Sequence, residues 1–520
     1  MTTQTVRAAR RTPRLVPRAA LAGATAAALA LGLSELLAGL LPGATSLVAA
    51  VGQVIISLQP PGAKDVVVAL FGTNDKLALE LFVAAVSIAL GGVFGLIAER
   101  RLWFGAAGFI AFGLVGFLAA VGDPTGNPSI VAAQTAVSVG LGIQGLSWLL
   151  GVLAPQEAQP GRPLSDPARR SFLLRTGALG IGAVAAGVVG RSLLDRARTV
   201  PAGAAASIPP ASDLVAALPA GTDLASSTPG LTPIVVPNDE FYRIDTSLLV
   251  PSLDTATWKL RIHGLVDRET VLTWDELVGL PMFEQYVTIA CVSNEVGGNL
   301  VGNAKWTGVR LRDVLEIAGV QPAATQLVGR SVDGWTAGIP TAWVMDPARE
   351  PMIAVKMNDE PLPPAHGFPA RLIIPGLYGY VSATKWLAEL ELTTLEGFNG
   401  YWVPLGWSKE GPILTQSRID TPGGSVQSGR VPIAGLAWAP DRGVGKVEVS
   451  IDGTWSEATL SSPISDTTWV QWVVPWDATP GGHTIQVRAT DGNGIVQDEL
   501  RSPPAPDGAR GWHTIQVLVS

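Results

Sequence analysis

Five stretches of this 520-residue chain stay apolar for roughly the 20 residues that cross a bilayer as a helix, and no other feature narrows the fold as much. They cover roughly residues 19–41, 77–98, 102–122, 129–153 and 172–190. Backbone in hydrocarbon must satisfy its own hydrogen bonds, so such runs read as spanning helices. The piece TSLVAAVGQVIISL, residues 45–58, is shorter and runs up to Pro60 and Pro61. It reads as a re-entrant or interfacial helix, with a sixth span as the alternative. Arginines sort the loops. Arg7, Arg10, Arg11, Arg14 and Arg18 precede the first run, Arg100 and Arg101 part the second from the third, and Arg162, Arg169 and Arg170 precede the fifth. The alternate loops hold Lys64 and Lys76. The positive-inside rule then puts the N-terminus in the cytoplasm and the globular remainder outside it. The expectation is a multi-pass, all-α transmembrane domain over 1–190, set in the lipid bilayer of the cell membrane.

The charge describes two different objects joined end to end. Through residue 200 there are 16 Lys and Arg against 9 Asp and Glu; from residue 201 on there are 20 against 34, with most of the tryptophans. An acidic globular part lacks the basic footprint that nucleic acid needs, so no nucleic-acid partner is expected. All four histidines, His263, His366, His483 and His513, lie beyond residue 200. The helical part therefore has no histidine for a bis-histidine haem and reads as an anchor and docking surface. The fifth run opens with Arg169-Arg170-Ser171-Phe172-Leu173, which resembles a twin-arginine export signal placed inside the chain. The plainer reading is a pair of cytoplasmic anchor arginines.

From Arg191 to Thr232 the chain is rich in Ala, Pro and Ser and reads as a partly extended linker, residues 191–232. Patterning then resumes. Trp258, Leu260 and Ile262 alternate as in a strand, Thr273 with Glu276 forms a capping-box pattern for a short helix, and LRDVLEIAGV reads as another helix ending at Gly319. This is an α+β pattern over 233–413 without regular strand–helix alternation. Over 414–520 the character is all-β: KVEVSIDG, WVQWVVPW, HTIQVRATDGNG and GWHTIQVLV alternate between Asp-Gly and Asn-Gly turns, the pattern of an immunoglobulin-like sandwich.

The stretch YVTIACVSNEVGG, residues 286–298, holds the one cysteine of the chain, Cys291. Without a second cysteine there is no intramolecular disulfide and no ligand set for a structural zinc or iron–sulfur centre. Buried filler, nucleophile and metal ligand remain as roles. Three motifs surround it: FYRIDT leading into a Val-Pro-x-Leu-Asp strand, TIACVSNEVGGNLVGNAKWTGVRLRDVLEIAGV, and HGFPARLIIPGLYGYVSATKWL. In order and spacing they resemble the sulfite oxidase family of molybdopterin enzymes, and the resemblance runs from about residue 236 to the C-terminus.

The resemblance implies that the Cys291 thiolate ligates molybdenum beside one pyranopterin dithiolene, and a soft thiolate suits such a metal. Arg371 and Lys385 match phosphate-contacting positions, His366 matches a cofactor hydrogen-bonding position, and Ser382 adds a hydroxyl near the phosphate. Tyr242 and Arg243 match the cofactor or substrate side, with Arg243 as the candidate catalytic cation. Asp245 stands where the family has histidine and is counted with the cofactor residues. Two departures concern substrate. Sulfite oxidases carry arginines after the cysteine, whereas this chain has Glu295, a carboxylate expected to repel a dianion beside the metal. The family's active-site tyrosine falls near Tyr401, Trp402 or Trp407. The expected function is oxygen-atom transfer by a membrane-anchored molybdopterin oxidoreductase acting on a sulfoxide-like or sulfite-like small molecule. A separate electron carrier is expected, because no haem, flavin or iron–sulfur motif is present, and a homodimer through the C-terminal domain is an option. The rival is a cofactor-free membrane receptor or scaffold that has kept the fold.

Overall fold

The computed structural model of the chain describes residues 16–58, 70–71, 75–123, 125–153, 166–197 and 208–520. Arg7, Arg10, Arg11, Arg14, Lys64, Arg162 and residues 198–207 of the linker lie outside the described residues. The chain forms two compact units, Met1–Thr199 with Thr246–Ser252, and Val200–Asp245 with Leu253–Ser520.

The first unit is helical: α1 Val16–Leu40, α2 Leu47–Ser57, α3 Asp75–Arg100, α4 Leu102–Val121, α5 Pro128–Leu153 and α6 Asp166–Ala197. Among the described residues five of these, all but α2, are long and apolar enough to cross a membrane. With 11 residues, α2 reaches only about 16 Å, too short for a sixth span. Its start is fixed by Ser46, whose hydroxyl accepts from Ala49 N–H at 3.2 Å. Small residues set the packing of α1. A Cβ added at Gly23 would lie 2.1 Å from Gly91 O of α3, and one at Gly39 would lie 2.5 Å from Gly190 O of α6. Such close backbone approach supplies dispersion contacts where lipid offers no hydrophobic drive. Polar side chains in this unit are tied to one another. Gln134 Nε2 donates to Ser34 O at 3.0 Å and Thr45 O at 2.9 Å, and Arg191 pairs with Glu80 at 3.0 Å. Arg169 and Arg170 lie in the first turns of α6.

The second unit is built of sheets. In its first part the strands are β1 Lys259–Gly264, β2 Thr270–Thr273, β3 Met282–Ala290, β4 Val301–Arg310, β5 Gln326–Ser331, β6 Thr336–Pro340, β7 Met352–Met357, β8 Glu360–Pro361, β9 Arg371–Ile373 and β10 Leu387–Thr393. They form two sheets, β2-β1-β10-β5-β6 and β3-β4-β7-β8, with β9 on β7. Only β1 and β10 run parallel among these pairs; the others are antiparallel. Leu260 and Ile262 point from β1 into the core, fully buried, as the alternation expects. The short helix α7, Trp274–Val278, carries the capping box: Glu276 N–H donates to Thr273 Oγ1, and Glu276 Oε2 accepts from Thr273 N–H at 2.8 Å. The helix α8, Leu311–Ala318, stops at Gly319, whose φ of +74° a side chain would strain.

The remaining strands are β11 Gln416–Thr421, β12 Ser425–Val426, β13 Gly429–Trp438, β14 Val444–Ile451, β15 Thr454–Glu457, β16 Thr459–Leu460, β17 Val470–Ala478, β18 Gly481–Asp491 and β19 His513–Val519. They make two sheets, β11-β13-β17-β16 and β12-β19-β18-β14-β15, over a core that includes Ile433, Val449, Trp472 and Val487. The described end of the linker does not swing free. Gln471 accepts from Leu224 N–H at 2.6 Å and donates to Thr232 O at 2.7 Å, and Ser212 N–H donates to Met282 O at 2.9 Å.

Candidate active site

Strand β3 delivers the chain to Cys291, which is buried. The loop beyond it closes on itself. Cys291 N–H donates to Leu300 O at 2.9 Å, Asn294 N–H to Cys291 O at 3.0 Å, and Leu300 N–H to Asn294 Oδ1 at 2.8 Å. The outer limb is held from the C-terminal sheets, a contribution not foreseen from the sequence. Arg418 Nη1 donates to Gly298 O at 2.9 Å. His513 packs on Gly297, and its Nδ1 accepts from Ile419 N–H at 2.9 Å. Burial holds the His513 imidazole below its ordinary pKa, and Arg418 adds to that. Two tyrosines feel Cys291. Burial pushes Tyr378 up to about 12, and burial likewise raises Tyr242; in both, proximity to Cys291 adds to the rise.

The phenol of Tyr242 also feels the Arg371 guanidinium, a member of a basic cluster. Arg371, 2% exposed, rests over the Trp306 ring at 5.1 Å and donates from Nη1 to His366 O at 2.9 Å. Its Nε is buried without a partner. Lys385 Nζ reaches Asp245 Oδ2 at 3.2 Å and Ala365 O at 3.0 Å. Asp245 also accepts from Arg243 Nε at 2.8 Å. His366 Nε2 donates to Asn238 O at 2.9 Å, which leaves Nδ1 as an acceptor. Burial sets the electrostatics. It lowers Arg371 to about 10 and Lys385 to about 8; for Lys385 the Asp245 carboxylate opposes the drop while Arg371 and Arg243 deepen it. His366 falls to about 3, through burial first and then Lys385 and Arg371, so it is a neutral ring. Arg243 and Lys385 thus share one carboxylate, and the buried Arg371 has none, an arrangement that favours an incoming anion.

Tyr242, Arg243, Asp245, His366, Arg371 and Lys385 therefore come together, with Tyr242 next to Cys291. Ser382 is different: its hydroxyl faces the carbonyls of Leu377 and Tyr378, each at 3.0 Å, and closes the turn that presents Tyr378. One expectation about substrate needs correction. Glu295 does not face the cysteine. Its side chain is 73% exposed and stands 4.0 Å from Arg501, because the closed loop turns position 295 outward toward the C-terminal sheets. Tyr401 stacks edge-on with Trp402 at 5.2 Å, while Trp402 and Tyr380 flank Trp407, and burial raises the Tyr401 phenol pKa. Tyr242 and Tyr378 are the tyrosines on which the Cys291 charge acts to raise the phenol pKa.

Residues 247–402 match the family described as the oxidoreductase molybdopterin binding domain. An oxidoreductase of Bacillus subtilis, YuiH, is 34% identical over 166 residues, covering 32% of this chain and 80% of that one. The chain belongs to the sulfite oxidase family of molybdopterin oxidoreductases. Other relatives are longer. Homo sapiens mitochondrial sulfite oxidase is 31% identical over 343 residues, 55% of this chain and 62% of that one. The NADH nitrate reductase 1 of Oryza sativa is 32% identical over 316 residues, 48% of this chain and 34% of that one. The chain thus spans less than two thirds of the sulfite oxidase and about a third of the nitrate reductase.

The residues present fit the cofactor of the family. The orphaned Arg371 Nε and the excess of buried positive charge ask for a phosphate, and the neutral His366 offers an acceptor to a pterin N–H. Sequence reasoning missed Asn238, which fixes the His366 tautomer and accepts from Asn358 Nδ2 at 2.9 Å. It also missed Tyr378, Arg418 and His513. Tyr378 lay inside a quoted motif; Arg418 and His513 lie more than 120 positions from the cysteine and carry no local signal.

Proposed function

We propose that this chain is a membrane-anchored molybdopterin oxidoreductase that moves an oxygen atom to or from a small sulfoxide-like or sulfite-like substrate, outside the cytoplasm. The observation that carries this is the buried guanidinium of Arg371, whose Nε has no partner, in a cation-rich cluster that shares the surroundings of Tyr242 with Cys291. Arg371, Lys385 and His366 would hold the pterin and its phosphate, and the Cys291 thiolate would hold the metal. When bound, that group supplies a metal that exchanges an oxygen atom and two electrons with the substrate. The chain supplies the rest. Arg243, its side chain 37% exposed and oriented by Asp245, presents a cation to an incoming oxygen-bearing substrate. Tyr242 and Tyr378, their phenols kept protonated by burial, serve as hydrogen-bond donors beside the thiolate. With Glu295 turned outward, no carboxylate on the cysteine loop opposes an anion. The overall balance is substrate plus water giving oxygenated substrate, two protons and two electrons, or its reverse.

The five apolar helices support anchoring. The arginine distribution supports a cytoplasmic N-terminus, and Arg169-Arg170 reads as an export signal for the catalytic half. The two C-terminal sheets read as an immunoglobulin-like sandwich, which in this arrangement also braces the cysteine loop through Arg418 and His513. The reading is tested by metal and pterin analysis of protein from a molybdenum-replete host, followed by a panel of sulfoxides and sulfite assayed in both redox directions. Folded protein free of both molybdenum and pterin would instead support the receptor or scaffold reading.

A further inference from the structure

The helical unit contains a place for a ligand. Helices α1 to α5 enclose a cavity of about 70 Å³ whose lining includes Ser34, Ser87, Phe94, Phe109, Phe112 and Ser138. On the far side of the α4–α5 seam runs a more open groove of about 450 Å³, lined by apolar residues such as Ile110, Leu114 and Phe117. Ile110 and Leu114 are exposed, on a helix that reads as lipid-facing. Gly113 and Val139 line both spaces. A Cβ at Gly113 would sit 2.5 Å from Val139 Cγ2, so Val139 packs against the bare Gly113 backbone where the two spaces share their lining.

Several hydroxyls in this unit bond back to their own helix. Thr25 donates to Leu21 O, Ser87 to Val83 O and Thr135 to Val131 O, at 2.8, 2.6 and 2.8 Å. Ser138 does not. It is 1% exposed, it lines the cavity, and its Oγ has no partner. An unmet hydroxyl in an apolar surround is costly, and it is met by a ligand that brings an acceptor. The ligand is therefore apolar, flat enough to pass the aromatic lining, supplied with a carbonyl-type acceptor, and drawn from lipid.

Composition narrows the class further. Through residue 199 the chain has no histidine or cysteine and, after Met1, no methionine. The helical unit therefore lacks the side chains that usually ligate haem iron or an iron–sulfur cluster. A carrier held there is one that dissolves in the bilayer. We propose that cavity and groove form a binding site for a lipid-soluble quinone, with one ring carbonyl accepting from Ser138 and the apolar tail lying in the groove. The choice of a redox ligand rests on the oxygen-atom-transfer reading, and the stoichiometry agrees with it. Quinol plus oxygenated substrate gives quinone, reduced substrate and water; in the other direction, quinone, substrate and water give quinol and oxygenated substrate. Each turnover moves two electrons and two protons.

The test is binding of decylubiquinone to the full chain in lipid nanodiscs, measured by titration without substrate, so that molybdenum loading and turnover do not enter. Saturable binding of one molecule per chain is expected. Ser138→Ala should weaken it about tenfold, the worth of one buried hydrogen bond, and Leu114→Trp, at an exposed groove position, should abolish it without touching the helix core. Thr25→Ala, at a hydroxyl that lines neither space, should leave it unchanged. Absence of saturable binding, equal binding by Ser138→Ala, or equal binding of a decyl-tailed compound without carbonyls would overturn the proposal. The last result would mark the space as an adventitious lipid slot. None of these outcomes changes the molybdenum content, which tests the enzyme reading separately.

Discussion

Arg371→Met separates a cofactor site from a structural ion network, because the two predict opposite changes in stability. In the folded chain the guanidinium is buried and its pKa is lowered from 12.5 to about 10. A cation whose folded pKa lies below its unfolded one destabilises the fold at every pH below the folded value, and that penalty fades only as pH rises from 10 toward 12.5. At pH 7 it is therefore present in full, about 3 kcal/mol at 1.36 kcal/mol per pH unit. Replacement by Met removes the penalty and fills the same space. It also removes the bond from Nη1 to His366 O and the contact with Trp306, together about 2 kcal/mol. The net expectation for protein made without cofactor is a gain of about 1 kcal/mol, or about 2 °C in the melting midpoint of a unit this size. Had Arg371 been one half of a buried ion pair, its loss would instead cost about 3–5 kcal/mol. The assay compares melting of wild-type and variant full-length protein from a cofactor-deficient host, and pterin content of both from a replete host. The reasoning is refuted if the cofactor-free variant melts several degrees below wild type, or if the variant keeps its pterin.

Four further outcomes are expected. Lys385, lowered to about 8, sheds its proton in the folded state while the unfolded chain holds it to 10.5, so cofactor-free protein should gain stability between pH 8 and 10.5, and Lys385→Met should flatten that rise in pH-dependent denaturation. Cys291→Ser should leave the fold intact and lose molybdenum, with wild type holding about one metal per chain by elemental analysis. Changing both Arg169 and Arg170 to Lys keeps the charge, so the positive-inside rule foresees no change, whereas an export receptor that reads the pair would leave the catalytic half in the cytoplasm; protease accessibility from outside decides. Glu295→Gln should leave the KM for sulfite within about twofold, because the carboxylate is solvent-exposed and faces Arg501; a tenfold improvement would put Glu295 back in the pocket.

Much of the fold is written in local pattern. Five apolar runs became five long helices, and TSLVAAVGQVIISL became the 11-residue α2, since length alone separates a span from a shorter helix. Thr273 and Glu276 made their reciprocal cap because both partners sit within one turn. The basic cluster proposed to hold the cofactor was legible for a related reason. Arg371 and Lys385 flank one short turn segment, and His366 precedes it, so a single stretch of about 20 residues carries three of its members. The described end of the linker was less legible: its Ala, Pro and Ser composition suggests a free tether, yet backbone groups at Leu224 and Thr232 found partners in Gln471.

What the sequence hid is the direction in which the cysteine loop faces. Read as a string, Glu295 follows Cys291 by four positions and should share its surroundings. Two unit charges 5 Å apart at an effective dielectric near 20 repel by about 3 kcal/mol, which is why the carboxylate looked decisive against a dianion. The closed loop makes that calculation irrelevant. Asn294 Oδ1 pins Leu300 N–H, Gly297 takes a φ of +79°, and the carboxylate is carried out to solvent near Arg501. The groups that fix this geometry, Arg418 and His513, belong to strands that read as a separate domain. On the proposed reading, the charge a substrate meets comes less from the residues next to the cysteine than from Arg243, which the chain brings from 48 positions upstream and which pairs with Asp245, 37% exposed. On that reading an anion is held through that one guanidinium, and loss of Arg243 should weaken sulfite far more than a neutral sulfoxide.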